Sequence, residues 1–130
     1  MSLIIDTSVI LAILLNEPEK QKILLITAGQ ELIIPGSVHW EIGNALSALF
    51  KRNRVTIKQA KEVLMMYHQI PFRVVQPRLI DSLIVAERHK IYAYDAYILE
   101  CAISLRFPLV TLDSQLSGIA KSIGLEIKEI

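Results

Sequence analysis

Leu3-Ile4-Ile5-Asp6-Thr7-Ser8-Val9-Ile10 decides how the rest of the chain is read. Three apolar residues run straight into an acid, and two hydroxyls follow it. Met1 to Ile5 has the continuous apolar character of a strand buried on both faces, as in a parallel sheet. From Val9 to Leu15 the pattern turns helical. Asp6 therefore stands at the carboxyl end of the first strand of a βα unit, where open α/β sheets place their ligands. Taken alone, Asp6 is more simply a helix cap, since Asp, Thr and Ser all accept from the free N–H groups of a first turn. A ligand role needs other acids at equivalent places.

Working outward, apolar runs and helical stripes alternate. Pro18 to about Ala28 reads as a helix opened by Pro and stopped by Gly29, and Glu31 to Pro35 as a second strand. Ser37 to Arg52 is the clearest helix, with Val38, Ile42, Ala45, Ala48 and Leu49 on one broad face. Glu41 falls inside that apolar arc and Asn44 at its edge. A carboxylate there must reach water, pair with a cation or bind a metal. Thr56 to His68 is a helix capped by Thr56, with Ile57, Ala60, Val63, Leu64 and Tyr67 as its stripe. Arg73 to Val75 is a strand. Pro77 to His89 is a helix expected to bury Leu79, Ile80, Leu83, Ile84 and Ala86. Asp95 is expected at the N-cap of a helix over Ala96 to Leu105. Pro108 to Leu112 is a strand with Asp113 directly after it. Ser114 to Ile123 is a helix closed by Gly124, and Glu126 to Lys128 a last short strand. This alternation predicts an α/β fold, a mostly parallel central sheet with helices on both faces.

Composition narrows the function. The chain has 130 residues, 52% of them hydrophobic, so one domain spanning 1–130 with a substantial core is expected. No apolar run approaches the roughly 20 residues of a membrane span, and no charged segment precedes an apolar one at the N-terminus, so neither a membrane anchor nor a signal peptide is expected. The lone Cys101 permits no intrachain disulfide, fits a reducing cytoplasm, and sits in an apolar helix as a small core residue. Net charge is +1, so any nucleic-acid role must rest on a local patch, for which Lys51, Arg52, Arg54, Lys58 and Lys61 are the densest candidate.

Four acids, Asp6, Glu41, Asp95 and Asp113, share one topological edge, where strands end and helices begin. Carboxylates meeting there repel one another and call for a cation. Oxygen donors without His or Cys select Mg²⁺ or Mn²⁺, and His39, His68 and His89 have no ligand spacing. Such a centre suits phosphoryl chemistry. Other α/β readings fail on the residues: there is no G-x-G-x-x-G after the first strand and no Walker A loop. Ser8 stands where an aspartyl-nucleophile phosphatase would usually carry a second Asp. The adjacent acids of a receiver domain are missing.

The stretches Ile5-Asp6-Thr7-Ser8-Val9-Ile10, Trp40-Glu41-Ile42-Gly43-Asn44-Ala45-Leu46, Tyr94-Asp95-Ala96-Tyr97-Ile98-Leu99-Glu100-Cys101-Ala102 and Leu109-Val110-Thr111-Leu112-Asp113-Ser114-Gln115-Leu116 together resemble a PIN-domain protein, most similar to the VapC-type toxins of toxin–antitoxin pairs. The resemblance runs the length of the chain in order and spacing. It implies a three-layer α/β/α fold and a Mg²⁺- or Mn²⁺-dependent endoribonuclease. Asp6, Glu41, Asp95 and Asp113 would be both catalytic and metal-holding, with Ser8, Asn44 and Thr111 in support. Apart from the resemblance, Lys51, Arg52 and Arg54 of the basic patch are the candidates for touching RNA. The resemblance also implies a homodimer and a cognate antitoxin. Two alternatives stay open: a PIN-fold binding module with weak or no nuclease activity, and a metal-dependent phosphatase on small molecules.

Overall fold

The computed structural model describes residues 1–130. Strands β1 (Ser2–Ile5), β2 (Glu31–Pro35), β3 (Arg73–Val75) and β4 (Leu109–Val110) form one sheet in the order β3-β2-β1-β4. Every neighbouring pair is parallel, with Leu3 beside Leu32, Ile5 beside Val110 and Ile34 beside Val74. The helices are α1 (Thr7–Leu14), α2 (Lys20–Thr27), α3 (Ser37–Lys51), α4 (Ile57–Gln69), α5 (Leu79–His89), α6 (Ala93–Leu105) and α7 (Ser114–Ser122). Helix α1 packs against α2, α3 and α4, whereas α6 packs on β1 and β2 and carries α5. The fold is the three-layer α/β/α arrangement.

The central strand is buried as its apolar run demands: Leu3, Ile4 and Ile5 are all fully covered. From β1 the chain winds outward through β2 to β3, then returns to lay β4 on the other side of β1. The winding direction reverses between β1 and β4, so the crevice at their carboxyl ends is the switch point where open sheets bind ligands. Asp6 leaves β1 there, and Thr111 and Asp113 leave β4.

Local signals place most boundaries. Thr56 closes a capping box with Gln59 at the start of α4. Gly29 and Gly124 follow α2 and α7 at φ of +73° and +81°, the left-handed stop that glycine adopts without strain. Strand β4 is shorter than the apolar run Pro108–Leu112, because Thr111 and Leu112 turn out of the sheet toward the site. The expected last strand is a single parallel bridge between Ile127 and Leu109.

Three expectations of burial change. In α3 the covered line is Val38, Ile42 and Leu46, which puts Glu41 about 100° from its centre, at the edge of the buried face. In α4, Ile57 is exposed. The largest departure is α5, where Leu79, Ile80, Leu83 and Ile84 lie open to solvent. The stripe α5 turns inward is Ser82, Val85, Ala86 and His89. Small Ser82 and Ala86 let it approach α6, and Ser82 bonds back to the Arg78 carbonyl at 2.7 Å. Periodicity correctly marks an apolar stripe in α5, but nothing within the chain covers it.

Glu100 is a buried acid away from the strand ends. Its Oε2 accepts from the Arg78 amide at 3.1 Å, fastening the start of α5 to α6. Beside it, burial and then the Glu100 charge push the Cys101 thiol up to about 12. That thiol is an inert core group, as expected.

Candidate active site

Asp6 is both cap and buried acid. Its Oδ1 accepts from the Val9 amide at 3.2 Å and from the Ser8 hydroxyl at 2.6 Å. Its Oδ2 accepts from the Thr111 hydroxyl. Both hydroxyls also receive: Ser8 Oγ from the Leu112 amide at 3.0 Å, and Thr111 Oγ1 from the Asp113 amide at 3.0 Å. Ser8 and Thr111 therefore sew the β1–α1 junction to the β4–α7 loop and fix the carboxyl of Asp6 between them. Asp113 is the N-cap of α7, its Oδ1 accepting from the Leu116 amide at 3.1 Å.

Asp95 lies one turn further into its helix than expected. α6 starts at Ala93, so Asp95 sits in the first turn, where a carboxylate faces the positive end of the helix dipole. Glu41 enters from the edge of α3. Its Oε1 is buried without a hydrogen-bond partner, and so is Thr7 Oγ1.

Charge from within the cluster reaches Asp6, Glu41 and Asp95. Burial is the first cause of each of these three shifts, and neighbouring charge adds to each rise. It pushes the Asp6 carboxyl above the ordinary range, against the Ser8, Thr111 and Val9 hydrogen bonds, and Asp113 adds to the rise. Burial likewise raises Asp95, helped by Asp113 and Asp6. Glu41 is pushed up to about 7 by burial and then by Asp95 and Asp6, although nearby Thr7 pulls the other way. Repulsion alone, the reason anticipated from the sequence, is thus the smaller part of the effect.

The residues fit a hard divalent cation. The donors are all oxygens. An orphaned, buried Glu41 oxygen is costly unless something outside the chain completes it. No three acids stand close enough together to grip a single ion as they lie. Mg²⁺ needs only one or two carboxylates, because it keeps much of its water.

Beside the acids is a cavity of ≈ 440 Å³ lined by Thr7, Trp40, Glu41, Asn44, Ala45 and Tyr94. Glu41 is the one acid that reaches it. Asn44 is exposed and lines it. Lys51, Arg52 and Arg54 are exposed but do not line it; they lie past its end along α3. Sequence reasoning treated Thr7 as a capping hydroxyl and passed over Trp40 and Tyr94. The only available signal was that Trp40 adjoins Glu41 and Tyr94 adjoins Asp95.

The PIN domain family model matches residues 3–122. The chain belongs to the PIN domain family, whose members are in general nucleases. Its fold is similar to PAE2754 from Pyrobaculum aerophilum, with TM-score 0.69 and 26% identity over 98% of this chain and 83% of that one. It is also similar to VapBC2 from Rickettsia felis, whose structure was solved bound to a DNA fragment from its promoter (TM-score 0.70, 16% identity, 98% of each chain). FitAcB from Neisseria gonorrhoeae shares the fold as well, at TM-score 0.67 and 15% identity over 98% of this chain and 96% of that one. No curated protein matches the chain in sequence. No helix is long and apolar enough to cross a membrane.

Proposed function

We propose that this chain is a single-domain, divalent-metal-dependent endoribonuclease that acts in the cytoplasm as the toxin of a toxin–antitoxin pair. The observation that carries this is that Asp6, Glu41, Asp95 and Asp113 lie within electrostatic reach of one another around the β1/β4 switch point, with a buried Glu41 oxygen left unpartnered. Those four residues would surround Mg²⁺ or Mn²⁺, one or two of them as direct ligands. When bound, such an ion lowers the pKa of coordinated water and stabilises the leaving oxygen of a phosphodiester.

The chain's own groups do the positioning. Ser8 and Thr111 donate to both oxygens of Asp6 and hold its carboxyl in one orientation. The α6 N-terminus supports charge on Asp95. Glu41, pushed up to about 7 mainly by burial, is only part ionised near neutral pH while nothing else neutralises the cluster. Asn44 presents a neutral amide at the cavity. Lys51, Arg52 and Arg54, none of them in an ion pair, would carry the RNA backbone past the end of α3.

The VapC-type motifs and the fold shared with VapBC2 support the toxin role, with a cognate antitoxin as partner. A homodimer is supported by the uncovered Leu79, Ile80, Leu83 and Ile84 stripe. The test is to give the purified chain an RNA transcript and, in parallel, a small phosphomonoester, each with Mg²⁺, Mn²⁺ or EDTA. Cation-dependent internal cuts in RNA with no phosphate released from the monoester are expected. Phosphate release alone would favour the phosphatase reading, and inertness toward both would favour the binding module.

A further inference from the structure

Thr7 opens α1, and its hydroxyl finds no acceptor in its own helix. Thr27, Ser82 and Ser104, further along their helices, donate to the carbonyl four residues back at 2.9, 2.7 and 2.9 Å. Four residues before Thr7 is Leu3, inside β1, so no such carbonyl is offered. Asp6, one residue earlier, already fills the cap position and takes the Val9 amide. Thr7 Oγ1 is therefore buried without a partner, and so is Glu41 Oε1. Both side chains line one cavity, on helices α1 and α3 that pack together. The other amide or hydroxyl side chain on that wall, Asn44, is exposed. A buried orphan donor and a buried orphan acceptor are each costly, and their nearest remedy is each other. Thr7 already draws the Glu41 pKa down, although the two complete no hydrogen bond as they lie.

We propose that Thr7 is the positioning residue of Glu41: its hydroxyl donates to the ionised carboxylate and holds it ready for a divalent cation. This rests on the metal-dependent reading above and deepens it at the same site. Ser8 and Thr111 do the equivalent for Asp6. Consecutive residues at the β1–α1 junction thus serve two acids. Asp6 is fixed from the β4–α7 loop, and Glu41 is fixed from α1. A charged acceptor takes a hydroxyl hydrogen more strongly than a neutral one, so the bond is strongest in the form of Glu41 that a cation needs. Threonine suits the task, because its branched Cβ restricts χ1 and holds the hydroxyl to few directions. Two other roles compete. The Thr7 methyl could pack between α1 and α3 with the hydroxyl a bystander, or the hydroxyl could touch the ion itself. The test separates all three.

Binding of Mn²⁺ to the purified chain, with no RNA present, is followed by the EPR signal of the free ion for wild type, Thr7→Val and Thr7→Ser. Valine is the nearest shape without a hydroxyl; serine keeps the hydroxyl and drops the methyl. Thr7→Val is expected to weaken Mn²⁺ binding by about 10- to 100-fold, the range for losing a group that orients a metal ligand. Thr7→Ser should recover most of that loss. In EDTA, Thr7→Val should melt near the wild-type temperature, because the lost hydroxyl had no partner. Thr7→Ala takes its place in the comparison if Thr7→Val does not fold. A crystal of the Mn²⁺-loaded wild type should show Thr7 Oγ1 about 2.5–3.0 Å from a Glu41 oxygen. Unchanged affinity in Thr7→Val, with or without a lower melting temperature, would mark a packing role and overturn the proposal. So would a failure of Thr7→Ser to recover affinity, or a Thr7 hydroxyl that turns away from Glu41 or bonds the ion itself. Those outcomes leave wild-type Mn²⁺ binding intact, so the metal-dependent reading survives them. A wild-type chain that binds no Mn²⁺ at any concentration sinks that reading and the positioning role with it.

Discussion

Asp6 carries a cost that only its site explains. A cap at the start of α1 needs one acceptor, and Asn, Ser or Thr would serve equally. Here a carboxylate is buried and receives two hydroxyls and an amide, yet burial still raises its pKa. Its ionised form therefore works against folding while no cation is present. Asp6→Asn should melt at or above the wild-type temperature in EDTA and lose Mn²⁺-dependent RNA cleavage. Thermal melts and gel assays on the same preparations check both halves. Ser8→Ala behaves differently, because Ser8 does not cap α1; it ties Asp6 to the Leu112 amide. Losing two hydrogen bonds should cost about 1–3 kcal/mol, readable by urea titration, and should also lower cleavage through a less fixed Asp6. Glu41 supplies the pH test. Its folded pKa of about 7 lies above the ordinary value of 4.5, so the folded state prefers it protonated. The stability tied to that proton is complete below about 4.5 and is lost as pH rises toward 7. Glu41→Gln lacks the titration. The variant's melting temperature minus the wild type's should therefore grow across that window in EDTA; a difference that stays flat with pH would contradict the assignment.

At the scale of elements, α5 shows where a sequence stops informing. β1 and β2 were readable because a strand buried on both faces has one appearance, an unbroken apolar run. The stops at Gly29 and Gly124 were readable because only glycine is at ease at positive φ. Helices α5 and α6 end instead on Lys90 and Arg106, both in the left-handed region, and no residue type announces that. The α5 stripe was visible too, but a 3.6-residue period says only that one face is apolar, not whether its cover lies in the same chain. With Ile80 three-quarters exposed, Ile80→Glu should leave the fold and melting temperature nearly unchanged. It should shift a dimer to monomer in light scattering behind size exclusion. A wild-type chain that is monomeric at every concentration would remove the α5 interface.

For the whole molecule, the order of the acids was readable, because Asp6 and Asp113 follow apolar runs that could only be strands ending on one edge. Their joining was not. The Ser8–Leu112 and Thr111–Asp6 bonds link residues more than a hundred positions apart, and only the reversal of winding between β1 and β4 brings them together. Nor was the aromatic rim, since Trp40 and Tyr94 differ from core aromatics only in how exposed they are. The proposed function makes one claim above the rest: that four acids from β1, α3, α6 and the β4–α7 loop serve a single cation-dependent centre. The most direct test is the initial rate of RNA cleavage against Mg²⁺ concentration for wild type, Asp6→Asn, Glu41→Gln, Asp95→Asn and Asp113→Asn, each with its melting curve. The expected result is a wild-type rate that rises with Mg²⁺ and vanishes in EDTA. Each folded variant should be slower by at least about a hundredfold at limiting Mg²⁺. A folded variant of any of the four that keeps the wild-type rate and Mg²⁺ dependence would contradict the shared centre.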